Sequence, residues 1–507
     1  MTSLLPRPRL VLAGEGAVTW RSPLRVRVAP VLAEALDVFA EDLAAAVGWA
    51  VDVVDDSAPA DLEIMLNERL GAEAYCLRVE DVTRVEAAGA AGASYALTTL
   101  RQLGPDELWG RAGQLERWRV PRVSVEDEPR FAWRGAHLDV ARHFFDVATI
   151  LRFVELLAAH RLNRLHLHLN DDQGWRVEIP GWPRLTQRGA QRRSSPVGHE
   201  SEGRDDGLAH GGYFSAEDLA HLREYARRRH VMIVPEIDLP GHAQAAIAAY
   251  PELGCTSEPV EVWTRWGISE HVLNVEPVAF AFATDALSHV ARLFPESPVH
   301  IGGDECPTSE WQASLAARRV MHEHGFSDVR QLQGLFTTRL AQVLHSLGHE
   351  VLAWDEVLDA DVPAGTVIVA WRHADKGLEA ARRGLDVIMA PMQWLYLDWL
   401  NSDRPDEPVA IAPPPAVTTW QRVYQFVVVP PELEAELVAR VRGAQAQLWT
   451  EYIATREHLD YMAFPRLSAF SEVVWGTAGE LDEFEGRLRT HLGRLDAMGV
   501  AYRRLDE

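Results

Sequence analysis

Two adjacent carboxylic acids, Asp304 and Glu305, follow a short apolar run in the segment HIGGDECP, which spans residues 300–307. The run predicts a β-strand that ends at two glycines, which allow a tight turn before the acids. Neighbouring side chains diverge, so the two groups can do different work on one substrate. Their like charges raise at least one pKa of the pair, which suits a general acid. A solvated loop end or a helix N-terminus is the alternative.

Two further segments add candidates for proton transfer. VPEIDLPGHAQA contains Glu236, Asp238 and His242, and LHLHLNDDQGWRVE contains Asp171, Asp172 and Trp175. A histidine between carboxylates can orient one of them and tune the proton affinity of the other. His166 and His168 alternate on one face of a predicted strand, as a metal-binding pair would, which keeps a metallohydrolase open as an alternative. This pair lies within the strand and no further ligands follow at a typical spacing, so we expect no metal and no cofactor.

Other polar and aromatic residues favour a sugar-binding site. Arg142, in LDVARHFFD, can offer a forked pair of donors to neighbouring hydroxyl groups, or form a surface ion pair. Tyr396, Asp398 and Glu451 can supply further hydrogen bonds. Three tryptophans end predicted strands; each alone would indicate core packing, but together they suggest an apolar cage for an acetamide methyl group and a pyranose face. These are Trp354, Trp371 and Trp449.

An eightfold alternation of strands and helices would bring these residues together. From about residue 126, short apolar runs that end in polar or aromatic residues alternate with amphipathic helical stretches. Eight such units predict a (β/α)8 TIM barrel, whose active-site residues lie at the carboxyl ends of the strands. Insertions at 191–212 and 401–417 are predicted to be loops that shape the site. The eight runs are AWRGAHLD, RLHLHLN, VMIVPEID, VHIGGDE, EVLAWDE, TVIVAW, DVIMAP and AQLWTE.

The barrel is one of three predicted segments of this α/β chain. Residues 1–125 alternate short β-like runs with Ala-rich helical ones, which predicts a small α/β accessory domain. The prolines and acids of VPRVSVEDEPRFAWRG indicate a domain boundary. We expect the catalytic barrel at 126–490 and a C-terminal tail at 491–507.

Composition and charge narrow the classes of partner. The 507 residues are 47% hydrophobic and 24% charged, as in a globular protein, and the formal net charge of −24 argues against nucleic acid and anionic membranes. No apolar run has the length of a membrane span, and no secretory leader is evident, so we expect a cytoplasmic location, with secretion left open. Three widely spaced cysteines indicate neither a disulfide framework nor a zinc site. The oligomeric state stays open.

Together, the segments LDVARHFF, HLNDDQGWR, VPEIDLPGH, HIGGDE, YLD and LWTE resemble the family 20 glycoside hydrolases, the β-N-acetylhexosaminidases. The resemblance spans about residues 125–480, and the preceding stretch is similar to the small accessory domain of that family. Any one of these motifs is only modestly specific, whereas the set is highly specific.

The resemblance implies a role for each candidate. Glu305 would be the general acid/base, and Asp304 would hold the acetamide N–H so that the substrate's own carbonyl oxygen attacks. Tyr396 would donate to that oxygen, and Asp171 and His242 would form a relay behind Glu305. The residues implied to bind the sugar are Arg142, Asp398 and Glu451, at its hydroxyl groups, and Trp354, Trp371 and Trp449, as the cage.

The implied activity is that of an exo-acting retaining glycoside hydrolase, which removes terminal β-linked N-acetylhexosamine through an oxazolinium intermediate. The alternatives are a metal-dependent amidohydrolase-like barrel and a non-catalytic amino-sugar-binding barrel. The preference between GlcNAc and GalNAc and the natural substrate, including chitooligosaccharides, stay open. So do the aromatic of the outer aglycone site, Trp399 or Trp420, and the role of Cys306, which departs from the family pattern.

Overall fold

The computed structural model describes residues 3–411 and 417–505. Residues 412–416, which belong to the second predicted insertion, lie outside the described residues. Within the described ranges the strands form an N-terminal mixed sheet, a closed barrel and two two-stranded sheets. No helix within them is both long enough and apolar enough to cross a membrane.

The N-terminal part of the described chain forms a seven-stranded sheet in the order β1-β7-β5-β6-β4-β2-β3. Apolar side chains of its two long helices and of the strands share one buried cluster. This arrangement agrees with the predicted α/β accessory domain. The elements are β1 (Leu10–Trp20), β2 (Leu24–Val28), α1 (Ala33–Val47), β3 (Val51–Val53), β4 (Leu62–Leu66), β5 (Tyr75–Val79), β6 (Thr83–Ala87), α2 (Ala90–Gln102) and β7 (Trp118–Asp127).

The segment expected to mark the domain boundary is largely strand β7. Its prolines and acids favour a linker, but Trp118, Val120 and Val125 are buried and alternate with more exposed residues, as the pleat of a half-buried strand requires. β7 pairs antiparallel with both β1 and β5. Residues 128–132 are therefore the short connection that leads into the barrel.

The remaining chain closes into a barrel of eight parallel strands, in the order β8-β9-β14-β15-β16-β17-β18-β19, which confirms the predicted fold class. Seven of the eight predicted runs contain one barrel strand each, whereas the eighth, AQLWTE, begins at Ala446, the last residue of β19. The elements are β8 (Trp133–Asp139), α3 (Val147–Ala159), β9 (Arg164–His168), β10 (Asn170–Asp171), β11 (Gly174–Trp175), β12 (Gln191–Arg192), β13 (His210–Gly211), α4 (Ala216–Arg228), β14 (Met232–Glu236), α5 (Gln244–Ala249), α6 (Pro277–Leu293), β15 (Val299–His300), α7 (Ser309–Ala313), α8 (Leu315–His324), α9 (Gln331–Ser346), β16 (Val351–Trp354), β17 (Val367–Ala370), α10 (Ala374–Arg382), β18 (Val387–Met389), α11 (Met392–Leu395), α12 (Trp420–Tyr424), β19 (Val441–Ala446), α13 (Arg456–Ala463), α14 (Arg466–Trp475) and α15 (Leu481–Ala497).

The C-terminal helix α15 bears on the predicted boundary at residue 490, which falls inside it. Its Phe484, Leu488 and Leu495 are buried, so the helix packs along its whole length. Its Arg494 donates to the carbonyl oxygen of Gln102 in α2 at 3.0 Å. The tail predicted to begin at residue 491 thus starts in the middle of a packed helix, and we propose that the third segment begins with α15.

Candidate active site

The carboxylate pair predicted from HIGGDECP leaves strand β15 through a tight glycine turn. Gly302 and Gly303 have φ angles of 69° and 91°, in the left-handed region that favours glycine. A Cβ atom on Gly302 would lie 1.7 Å from Oδ1 of Asp238, so a larger residue cannot replace it without a shift. Glu305 itself has φ 42°, an unusual value for a residue with a side chain. Backbone strain of this kind concentrates at functional sites.

The two acids of the pair have different surroundings, as their predicted division of work requires. Asp304 is 7% exposed, whereas the side chain of Glu305 is 36% exposed and reaches solvent. His242 lies between them, with Nε2 3.8 Å from Oδ2 of Asp304 and 3.7 Å from Oε2 of Glu305. One acid is thus enclosed, and its neighbour stands where a leaving group and water can reach it.

His242 also contacts Asp171, the partner predicted for it. Its Nδ1 lies 3.1 Å from Oδ1 of Asp171 and 3.5 Å from Oδ2 of Asp172. Burial alone would lower the pKa of His242, but the charge of Asp171 and hydrogen bonds to the carboxylates around it raise the pKa well above its ordinary value. The imidazole is therefore a cation at neutral pH and can pass or hold a proton next to Glu305.

Asp238 is a member of this cluster to which the sequence reasoning gave no role. Oxygens of Asp238 and Asp304 and a ring nitrogen of His242 lie within 4.8 Å of one another. Burial raises the pKa of Asp238 to about 8, and burial together with the charge of Asp238 raises the pKa of Asp304 well above its ordinary value. The two carboxyl groups therefore retain a proton at neutral pH.

Arg142 is buried at the same rim and joins several of the acids. Its guanidinium lies 2.8 Å from Asp171, 3.2 Å from Asp139 and 3.8 Å from Glu451. It also lies 5.1 Å from the ring centroid of Trp449. The alternative of a surface ion pair is thereby wrong for Arg142, which is 5% exposed and sits among candidate site residues.

The predicted tryptophans lie in one aromatic group. The rings of Trp354 and Trp449 are 5.9 Å apart, and Trp371 stacks on Tyr396 at 5.9 Å with an interplanar angle of 18°. Tyr396 lies 6.5 Å from Trp449, which closes the group. Trp354 is fully buried, whereas Trp371 and Trp449 remain partly exposed. Trp354 is therefore suited to form the floor of the predicted cage, and the other two are suited to form its walls.

The two candidates for the outer aromatic differ in position. The ring of Trp399 is 6.5 Å from that of Tyr396 and partly exposed, so it continues the aromatic group. Trp420 is 8% exposed and packs on Phe484 of α15 at 5.8 Å. The position of Trp399 favours it over Trp420 as the outer aromatic.

Asp398 and Glu451 are buried carboxyl groups next to this cage. Neither carboxylate oxygen of Asp398 has a hydrogen-bond partner within the described chain, although the residue is only 5% exposed. Burial, followed by the charge of Glu451, raises the pKa of Asp398 well above its ordinary value, and burial raises that of Glu451 to about 7. A buried acceptor without a donor is costly, and sugar hydroxyl groups are donors of the right kind.

A second acid that the sequence reasoning passed over is Glu356, which follows β16. It accepts a hydrogen bond from Nε1 of Trp371 at 2.9 Å. Burial raises its pKa well above the ordinary value, and the charge of Asp304 adds to the increase. Glu356 therefore holds the indole of Trp371 in place and lies close enough to Asp304 to feel its charge. The sequence could have indicated Glu356 as a candidate site residue, because it follows a predicted barrel strand in EVLAWDE.

Below the rim, histidines from β8, β9 and β15 surround Glu236 of β14. His137, His166 and Glu236 bring one potential ligand atom each within 4.8 Å, as do His168, Glu236 and Asp238. The sequence spacing showed no third metal ligand beside the histidine pair. The fold brings potential third ligands to these histidines from other strands. The same atoms, however, make short contacts with each other: Oε2 of Glu236 lies 2.6 Å from His168 and 3.2 Å from His166. The carboxylate thus already has nitrogen donors around it.

Comparisons with known proteins agree with this geometry. Residues 131–478 match the catalytic domain of glycosyl hydrolase family 20, and residues 1–128 match domain 2 of that family. The chain therefore belongs to glycosyl hydrolase family 20, which confirms the resemblance found in the sequence. Both domains of that family are thus matched, domain 2 before the catalytic domain.

Two relatives are named β-hexosaminidase. The chain is 38% identical over 436 residues to a β-hexosaminidase of Porphyromonas gingivalis, a match that covers 85% of this chain and 54% of that protein. It is 35% identical to a β-hexosaminidase of Vibrio furnissii, over 92% of this chain and 76% of the relative. The chain thus spans about half the length of the first relative and three quarters of the second.

A solved structure extends the likeness to the whole described fold. The crystal structure of an exo-β-N-acetylglucosaminidase from Vibrio harveyi, in complex with N-acetylglucosamine, superposes with a TM-score of 0.88 at 32% identity. The superposition covers 99% of this chain and 78% of that one. The predicted enzyme class, a β-N-acetylhexosaminidase, agrees with the names of all three proteins.

Proposed function

We propose that this glycoside hydrolase is an exo-acting, retaining β-N-acetylhexosaminidase in which the substrate's acetamide group is the nucleophile. The observation that carries the proposal is the arrangement of Asp304, Glu305 and Tyr396 at one rim beside a tryptophan cage. The enclosed acid suits an amide N–H, and the exposed acid suits a leaving oxygen. Its substrate would be a small molecule or oligosaccharide with a terminal N-acetylhexosamine.

In the first step, Glu305 donates its proton to the glycosidic oxygen while the acetamide oxygen attacks C1. The bond from C1 to the leaving oxygen breaks, and a bond from C1 to the acetamide oxygen forms, which gives the oxazolinium ion. Positive charge then develops on the amide nitrogen, where an ionised Asp304 would stabilise it. Because the nucleophile is already attached to the substrate, its effective concentration is high.

In the second step, Glu305 takes a proton from water, and the water oxygen bonds to C1 as the bond to the acetamide oxygen breaks. The acetamide group is restored, the configuration at C1 is retained, and Glu305 again holds a proton. His242, between Asp171 and Glu305, is placed to tune these proton transfers. The proton that Asp304 shares with Asp238 would have to move to Asp238 when the substrate binds, so that Asp304 carries the charge.

We expect Glu305→Gln to lower turnover of an aryl N-acetyl-β-glucosaminide by about 10²–10⁴-fold with little change in binding, because the amide cannot transfer the proton. Wild-type protein should hydrolyse the matching aryl β-glucoside, which lacks the acetamide nucleophile, only weakly. Glu310→Gln is a matched control: Glu310 follows shortly in sequence but contacts His271 at 2.8 Å, away from the cluster. Steady-state kinetics with both substrates test the proposal. Normal turnover by the Glu305 variant, or equal rates on the two substrates, would overturn it.

A further inference from the structure

Glu236, at the end of β14, is the centre of a fully buried layer beneath the candidate active site. Its Oε1 accepts a hydrogen bond from Nε1 of Trp354 at 2.7 Å and lies 2.9 Å from Nδ1 of His300. Its Oε2 lies 2.6 Å from Nδ1 of His168 and 3.2 Å from Nε2 of His166. A carboxylate with nitrogen neighbours on three other strands is fixed in position and orients them in turn.

His168 differs from the other neighbours of Glu236 because its second ring nitrogen continues outward. Its Nε2 lies 2.8 Å from Oδ2 of Asp171, whose Oδ1 lies 3.1 Å from Nδ1 of His242. Nε2 of His242 is in turn 3.7 Å from Oε2 of Glu305. Carboxylates and imidazoles therefore alternate from the barrel interior to the exposed acid, with hydrogen-bond distances up to His242 and a final charge contact of 3.7 Å to Glu305.

We propose that Glu236 and His168 are positioning residues that complete a five-member relay, Glu236–His168–Asp171–His242–Glu305. Through His242, this relay sets the pH range in which Glu305 carries its proton. The inference rests on the proposed function, in which Glu305 is the acid/base, and extends the predicted pair of Asp171 and His242 into the barrel interior.

The charge of His168 is the physical basis of the relay. Burial alone would lower the pKa of His168, but the charge of Glu236 and hydrogen bonds to both acids raise that pKa to about 10. His168 is therefore a cation at neutral pH, and it shares the offset of the charge of Asp171 with Arg142, whose guanidinium lies 2.8 Å from the same Oδ2 and stays in place when His168 is changed. Without this cation, the negative charge of Asp171 would be offset less. Because His242 is already a cation, this change makes the surroundings of Glu305 more negative, and Glu305 would keep its proton to higher pH.

Other charged groups surround the relay and stay in place when His168 alone is changed. Those that face His168 are Glu236, Asp171, His137 and His166. Those that face His242 are Asp171, Asp172, Asp238, Asp304, Glu305 and Cys306. Those that face Glu305 are His242, Asp304 and Tyr396.

The test compares His168→Gln with His166→Gln. Both histidines are fully buried on β9 and contact Glu236, but the other ring nitrogen of His166 contacts Gln445 at 3.0 Å. The measurement is the pH profile of kcat/KM on an aryl N-acetyl-β-glucosaminide. We expect the alkaline limb of the His168 variant to move to higher pH by about one unit and the limb of the His166 variant to stay in place. Coincident profiles for wild type and the His168 variant, or equal shifts for both variants, would overturn the relay.

Turnover measurements and neutron diffraction distinguish failure of the relay from failure of the proposed function. If wild-type protein fails to turn over the substrate, or Glu305→Gln keeps normal turnover, the proposed function is wrong. If an active, folded His168 variant keeps the alkaline limb of the wild-type profile, only the relay is wrong. If His168→Gln does not fold, neutron diffraction of the wild-type protein decides. Deuterium on both ring nitrogens of His168 supports the relay, and deuterium on one nitrogen contradicts it.

Discussion

Asp304 and Asp238 form a carboxyl pair whose ionisation couples the site to the stability of the protein. Burial is the largest cause of the raised pKa of each group, which is about 8 for Asp238. An unfolded chain would release these protons near pH 4. Because the folded protein binds more protons between pH 4 and 8, the stabilising contribution is complete below about pH 4 and is lost as the pH rises through 8.

Asp238→Asn should remove much of this pH dependence, because the amide is neutral at every pH and can still accept the hydrogen bond that Gly303 donates at 3.0 Å. We expect the thermal stability of the variant, relative to wild type, to rise steadily from pH 4 to pH 8. Thermal unfolding followed by circular dichroism across this range measures the difference. Asp328→Asn is the control, because Arg330 holds the pKa of that exposed acid at about 2, below the window. A constant difference for Asp238→Asn would contradict the pairing.

The glycine turn after β15 is the element that positions the carboxylate pair, Asp304 and Glu305. We expect Gly302→Ala to abolish most activity and to destabilise the fold, because its Cβ would lie 1.7 Å from Asp238. Gly325→Ala is a matched control: its φ is 68°, close to the 69° of Gly302, and nothing lies within 4 Å of the added carbon. The control isolates the left-handed strain, which costs about 1–2 kcal/mol.

Urea denaturation and turnover of both glycine variants separate strain from collision. The Gly302 variant should lose about 1–3 kcal/mol more stability than the Gly325 variant, as overpacking typically costs, and its kcat should fall while that of the control stays near wild type. Equal losses in the two variants would mean that the turn tolerates a side chain and does not aim the acids.

The elements of the barrel were more predictable than those of the accessory domain. Barrel strands such as Val351–Trp354 and Val367–Ala370 are buried throughout, so they read as continuous apolar runs between helices. β6 and β7 carry charged residues between their buried ones, and a shorter alternation of this kind resembles a loop. Strand identity therefore followed from apolar content where both faces are covered. With one charged face, β2 and β5 were still predicted, whereas β6 and β7 were missed.

The candidate site was predictable where its reactive residues lie close together in one segment of the sequence. Asp304 and Glu305 are adjacent, and the tryptophans end strands, so both sets could be found from local pattern. Roles for Asp238 and Glu236 can be inferred only from their contacts with residues on other strands, such as His300. Spacing along the chain does not reveal these contacts. Their roles stay predictions of the folded geometry.

In the whole molecule, a buried ion pair joins the accessory domain to the barrel. Asp127, the last residue of β7, lies 3.0 Å from the guanidinium of Arg161, which follows α3, and both side chains are fully buried. Asp127 also accepts hydrogen bonds at 2.9 Å from Tyr75 in the same sheet and from Trp475 at the end of α14. One carboxylate thus ties β5 and two parts of the barrel to the end of the accessory sheet.

Removal of one partner should therefore cost far more than removal of both. Arg161→Met leaves Asp127 buried without its cation and should destabilise the protein by about 3–5 kcal/mol, whereas the double variant Arg161→Met, Asp127→Asn should recover part of this loss. Arg111→Met is the control, because that arginine pairs with Glu155 at 2.9 Å on the surface and its loss should cost about 0–1 kcal/mol. Chemical denaturation of the four proteins gives the free energies. If Arg161→Met were no less stable than Arg111→Met, the two domains would be held by their apolar contacts, and the ion pair would only set their orientation.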